Sequence, residues 1–87
     1  MDGWDFGDYR HSGEPVDFIV YRGYTDMKAR RRTDIEEIVL LDIKTGGSKM
    51  TTRQRRIRDA VVAGKVSFAC YNVDTGKLQQ WSVNADG

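Results

Sequence analysis

The sequence has one cysteine, one proline and one histidine in 87 residues. A lone cysteine excludes an internal disulfide and any zinc site built on several thiolates. It fits a reducing compartment, and the expected location is cytoplasmic. No apolar run approaches the roughly 20 residues that span a bilayer. The run at 38–41 is strand-sized, so no membrane partner is expected. The opening Met1-Asp2-Gly3-Trp4-Asp5 has neither a basic region nor an apolar core, and no signal peptide is expected. P-loop, dinucleotide-binding and hydrolase-nucleophile motifs are missing. The lone His11 lies in an irregular stretch and is not assigned as a base. A chain this short buries only about 60–65% of its unfolded surface, so a partner chain or bound ligand is expected to add stability.

The near-neutral total of 14 Lys+Arg against 13 Asp+Glu hides an uneven distribution. Residues 1–21 carry five acids and one Arg. Residues 44–65 carry Lys44, Lys49, Arg53, Arg55, Arg56, Arg58 and Lys65 against Asp59 alone, a local charge of +6. Such a segment meets a polyanion even when the whole protein is almost neutral. The plainer reading is a solvated helix face.

Residues 1–14, rich in Gly and Asp with Trp4, Phe6 and Tyr9 interspersed, read as an irregular acidic and aromatic lead-in, and residues 15–87 as one domain. Three aromatics in a free tail would be unusual, so they are expected to pack. Residues 16–21 (V-D-F-I-V-Y) and 37–44 (E-I-V-L-L-D-I-K) read as strands. Both are largely apolar on two faces, which places them in a covered sheet. Residues 22–33, polar and basic, read as a loop. A helix is predicted over 51–63, with Thr51 or Thr52 as N-cap and Gly64 as its stop. Met50, Gln54, Ile57 and Val61 form one stripe on it. Residues 66–71 and 78–83 flank Asp74-Thr75-Gly76 and read as a hairpin. The expected class is α/β, a small mixed β-sheet with one main helix packed on it.

Three features combine into a candidate site. Asp17 lies within an apolar strand. Asp42 and Lys44 are two apart, which puts both side chains on one face of an extended chain. Gln54 sits on the inward stripe near the start of the following helix. A carboxylate in a buried strand is costly unless paired or bound to a cation. Two carboxylates from adjacent strands repel unless positive charge lies between them. A hard divalent cation such as Mg²⁺ meets that need. A nearby lysine can orient water or stabilise charge growing on a phosphate.

Pro15-Val16-Asp17, then Asp42-Ile43-Lys44-Thr45-Gly46, then Thr52-Arg53-Gln54-Arg55-Arg56-Ile57-Arg58-Asp59-Ala60 together resemble the PD-(D/E)xK nuclease superfamily. Within it, the stretch 13–70 is most similar to the endonuclease family related to archaeal Holliday junction resolvases. The resemblance implies a minimal restriction-endonuclease-like core and a metal-dependent DNA endonuclease, with Mg²⁺ as cofactor and Mn²⁺ able to substitute. It implies Asp17, Asp42 and the Ile43 carbonyl as metal ligands. Lys44 would position the nucleophilic water, and Gln54 would orient the lysine, the water or a phosphate. Lys28, Arg30, Arg31, Arg32, Lys49, Arg53, Arg55 and Arg56 would hold DNA through its phosphates. A homodimer is expected from the thin core, the hairpin edge and the family habit of cutting two strands.

The sequence departs from the family pattern at two points. Only 14 residues precede Pro15, where relatives carry a helix, and Asp42 stands where the nearest relatives have Glu. These departures leave a second expectation: a weakly active or inactive nuclease-like module that binds nucleic acid or a protein partner and regulates or inhibits a larger nucleic-acid machine.

Overall fold

The structure, a computed structural model, describes residues 3–83. Met1 and Asp2 of the lead-in, and residues 84–87 at the end of the expected domain, lie outside the described residues. The backbone contacts divide the chain into two compact units, Met1–Lys49 and Met50–Gly87. Each is described by itself.

In the first unit a 3₁₀ turn, Phe6–Asp8, leads into β1 (Tyr9–His11). Then come β2 (Phe18–Arg22), the short helix α1 (Tyr24–Lys28) and β3 (Glu37–Leu41). The strands form an antiparallel sheet in the order β1-β2-β3. Tyr9 lies opposite Val20, and Val20 opposite Val39. Val20 is fully buried and Val16 nearly so. Alternation along β2 puts Phe18 and Val20 on the same face, where Leu41 and Val39 lie across from them. On the opposite face, Ile38 and Leu40 are exposed. Within this unit the expected cover on both sides is not supplied: β3 is an edge strand, and no described element of the unit lies over its apolar second face.

The lead-in is also corrected. Rather than an irregular arm, it supplies the 3₁₀ turn and an edge strand of the sheet. Tyr9 meets Trp4, Phe6 and Phe18 at ring separations of 6.3, 5.6 and 5.6 Å, while Phe6 itself stays exposed, so the lead-in aromatics pack only in part. Trp4 lies under the Arg22 guanidinium at 4.8 Å, and Arg22 also bonds Glu37 across the ladder at 2.7 Å. Such aromatic and cation contacts each contribute on the order of 0.5–1.5 kcal/mol.

The predicted loop over 22–33 contains α1. Its N-cap, Gly23, has no side chain with which to cap. The cap comes instead from Asp8, 15 residues earlier: one carboxylate oxygen accepts from the Gly23 N–H at 2.8 Å and the other from the Thr25 N–H at 2.7 Å. A methyl at Gly7 would collide with Thr25 Oγ1, so glycine lets the 3₁₀ turn approach the helix start. Burial by itself would raise the Asp8 carboxyl. The Thr25 and Gly23 amides, the Thr25 hydroxyl and Arg10 outweigh it and hold the group below the ordinary 3.8. A depressed carboxyl stabilises the fold above its unfolded value, and that contribution is lost as pH falls through the folded value. Asp8→Ala is expected to cost about 2 kcal/mol at neutral pH, read from urea unfolding. The gap between variant and parent should close as the solution is acidified below the ordinary carboxylate range. A gap that persists at acid pH would show that the charged cap is not its source.

The second unit holds α2 (Thr52–Val62) and a hairpin of β4 (Ser67–Asn72) and β5 (Lys77–Ser82). The α/β class, the single main helix and the hairpin agree with the sequence reading. The strands form two antiparallel sheets, of three and two strands. Thr51 is the N-cap, its hydroxyl accepting from the Gln54 N–H at 3.1 Å. At the other end Gly64, with φ of 73°, takes the left-handed conformation that ends the helix, and the Lys65 N–H returns to the Ala60 carbonyl. Thr51→Ala is expected to destabilise the chain by about 1 kcal/mol, seen as lost helical circular dichroism on mild heating. A Thr51→Ser variant, which keeps the hydroxyl, should behave as the parent.

Candidate active site

The site begins where the β2–β3 ladder ends. The last backbone pair is Phe18 with Leu41. Extending that register by one residue sets Asp17 opposite Asp42. Both predicted strands are therefore shorter than expected, and Asp17 and residues 42–44 lie just beyond them. The reason lies in the Asp17 backbone. Its carbonyl accepts from the Ser12 N–H at 2.9 Å and is also approached by the Gly13 N–H at 3.4 Å. The Asp17 carboxylate then bridges to the neighbouring strand, with Oδ2 accepting from the Ile43 N–H at 2.8 Å. A side chain continues the ladder by one step and fixes the segment that carries Lys44.

Asp42 and Lys44 meet as the two-residue spacing requires, with Lys44 Nζ 2.6 Å from Asp42 Oδ2. The Asp42 side chain is mostly covered, at 17% exposure, and that of Lys44 is 32% exposed. The pair is thus partly withdrawn from water, where a charge-assisted contact is stronger than on an open surface. Residues 45–48 close the segment as a turn, with the Ser48 N–H on the Thr45 carbonyl and Gly46 at a φ of 57°.

Gln54 lies in the second unit, where it occupies the third helical position of a capping box. Its Oε1 accepts from the Thr51 N–H at 3.0 Å while its own N–H donates to Thr51 Oγ1. The spacing Thr51-x-x-Gln54 is a sequence signature of that box and points to this local role. Of the predicted site residues, the first unit brings together Asp17, Asp42, Ile43 and Lys44.

The basic residues divide into two groups. Arg31 is paired with Asp26 at 2.9 Å, and Arg32 with Asp34 at 3.1 Å and Glu36 at 3.4 Å. The bond to Asp34 raises the Arg32 guanidinium further above its ordinary value. Lys28 lies 5.7 Å from the Tyr24 ring, and Arg30 is exposed. On α2, Arg55 bonds Thr52 Oγ1 at 3.3 Å. Lys49, Arg53 and Arg56 are exposed and form no ion pair among the described residues. Asp8, which sequence reasoning missed, supports this unit without joining the site; no local signal marks a cap that acts across 15 residues.

The donor types at the sheet end, the carboxylates of Asp17 and Asp42 and the main-chain carbonyl of Ile43, are of the kind a hard divalent cation takes. Among the described residues, no group of three or more His, Cys, Asp or Glu side chains gathers as a metal cluster. A two-carboxylate set completed by carbonyl and water oxygens is compatible with Mg²⁺, which keeps several of its waters.

An α/β chain in which Asp17 bonds the Ile43 amide at a sheet end and Lys44 reaches Asp42 is consistent with the PD-(D/E)xK nuclease type. Residues 3–73 match the family model described as endonuclease related to archaeal Holliday junction resolvase, and the chain belongs to that family. No curated protein and no solved structure gives a significant match. Among the described residues no helix is long and apolar enough to cross a membrane.

Proposed function

We propose that the protein is a metal-dependent endonuclease that hydrolyses phosphodiester bonds in DNA. The observation that carries this reading is the sheet end, where the Asp17 carboxylate accepts from the Ile43 N–H and Lys44 reaches Asp42 on the same segment. Asp17, Asp42 and the Ile43 carbonyl would hold Mg²⁺, or Mn²⁺ in its place. The ion, when bound, supplies Lewis acidity toward the phosphate. Lys44 holds the water that attacks the phosphorus and stabilises charge developing there. Asp17 also fixes the Ile43 amide, which keeps Lys44 in register. The capping box places Gln54 at the start of α2, and the exposed arginines of that helix hold the phosphate backbone.

A second reading, a weakly active or inactive nuclease-like module that binds nucleic acid or a protein, is favoured by one observation: Lys44 pairs directly with Asp42, one of the two carboxylates in the candidate site. Incubation of the full chain with linear, single-stranded and branched DNA separates the two. Cleavage that requires Mg²⁺ or Mn²⁺ is the expected result. DNA binding without cleavage in either metal would establish the second reading.

A further inference from the structure

The β4–β5 hairpin carries a feature that the sheet-end site does not use. Phe68 lies directly opposite Trp81, and their ring centroids are 5.9 Å apart. A cross-strand aromatic pair stabilises a hairpin, but this one leaves 67% of Phe68 and 50% of Trp81 exposed. Opposed residues in an antiparallel pair share a face, and every second residue returns to it. Gln79 and Lys77 of β5 therefore lie on the same face as the two rings. Their side chains make no hydrogen bond or ion pair among the described residues. The face thus presents two exposed rings followed by an amide and an ammonium.

We propose that this face is a stacking platform for unpaired nucleobases, a second nucleic-acid site separate from the sheet-end carboxylates. The inference rests on the nucleic-acid reading above. Charge complementarity supports this occupant. The described part of the second unit carries Arg53, Arg55, Arg56, Arg58, Lys65 and Lys77 against Asp59 and Asp74. That balance attracts a polyanion. The rings then select its form. A duplex hides the faces of its bases, whereas a single strand offers them to exposed aromatic side chains. Gln79 can reach base edges with both a donor and an acceptor, and Lys77 supplies a charge for the phosphate alongside.

The test measures binding of the full chain, in EDTA, to a short labelled oligodeoxythymidylate and to a duplex of equal length. Trp81→Ala and Phe68→Ala are each expected to weaken single-strand binding by about tenfold or more. Duplex binding should stay within about twofold. Trp81→Phe, which keeps a ring, should retain most of the single-strand affinity and guards against loss through misfolding. Equal losses for both DNAs, or no loss for either, would overturn the platform. So would a self-association of the parent that Trp81→Ala abolishes, since the face would then be an interface between copies. If the parent binds neither DNA, the nucleic-acid reading itself fails. If it binds DNA while the ring variants match it on both DNAs, the platform alone fails.

Discussion

Replacing Lys44 with alanine is expected to slow metal-dependent cleavage by about 10²- to 10³-fold, the range typical of removing one group that stabilises charge in the transition state. The fold should survive. Because Asp42 is mostly covered, removing its lysine leaves that carboxylate less well compensated, so the variant is expected to unfold at a somewhat lower urea concentration and its activity is measured well below that concentration. Asp17→Asn provides the complementary measurement. The amide oxygen still accepts from the Ile43 N–H, so the link to the end of β3 is kept while the negative charge is lost. If Asp17 serves the metal as well as the strand end, this variant loses activity and Mn²⁺ affinity with little change in stability. Full activity in Asp17→Asn would reduce that residue to a structural bond. Full activity in Lys44→Ala would remove the sheet end from the chemistry.

The second large effect concerns affinity. Arg53 and Arg56 project from α2 without an ion-pair partner among the described residues, whereas Arg31 and Arg32 are engaged by Asp26, Asp34 and Glu36. An arginine already paired must give up its carboxylate before it can neutralise a phosphate, so the two groups should differ. For each phosphate neutralised, binding to duplex DNA falls with salt with a logarithmic slope of about 0.9. One contact is then a factor of about 8 in affinity at 0.1 M salt relative to 1 M. The double variant Arg53→Ala/Arg56→Ala is expected to lose about 60-fold in affinity at 0.1 M salt and to flatten the salt slope by about 1.8. Arg31→Ala/Arg32→Ala should change both much less. The comparison is made by anisotropy titrations at several salt concentrations. If the loop variant shows the larger loss, DNA lies along the first unit, and the exposed arginines of α2 are an ordinary solvated face.

The +6 segment read from the sequence is, in the structure, mostly carried on α2. The meaning of any basic cluster depends on which charges are already answered, and for Arg31 and Arg32 the answers come from acids a few residues away along the chain. Arg31 and Asp26 are five apart across the end of α1, a helix that the sequence does not signal. Gln54 offers a contrasting case. The stripe that suggested an inward role and the Thr51-x-x-Gln54 spacing that gives a capping box are both local, and the structure fills the second.

Chain spacing was enough to foresee the residue pairs whose geometry is local. Asp42 and Lys44 meet because extended residues two apart share a face. Thr51 caps because its hydroxyl lies within reach of an amide three residues on, and the hairpin forms around Asp74-Thr75-Gly76 because the strands on either side are adjacent in the chain. Long-range packing settled the rest. It set Asp17 against the Ile43 amide, turned the lead-in into β1, and capped α1 with Asp8. Each of these joins groups well separated in the chain. Their partners are chosen by the register of the sheet, which the apolar faces of strands distant in the chain fix only when they pack together.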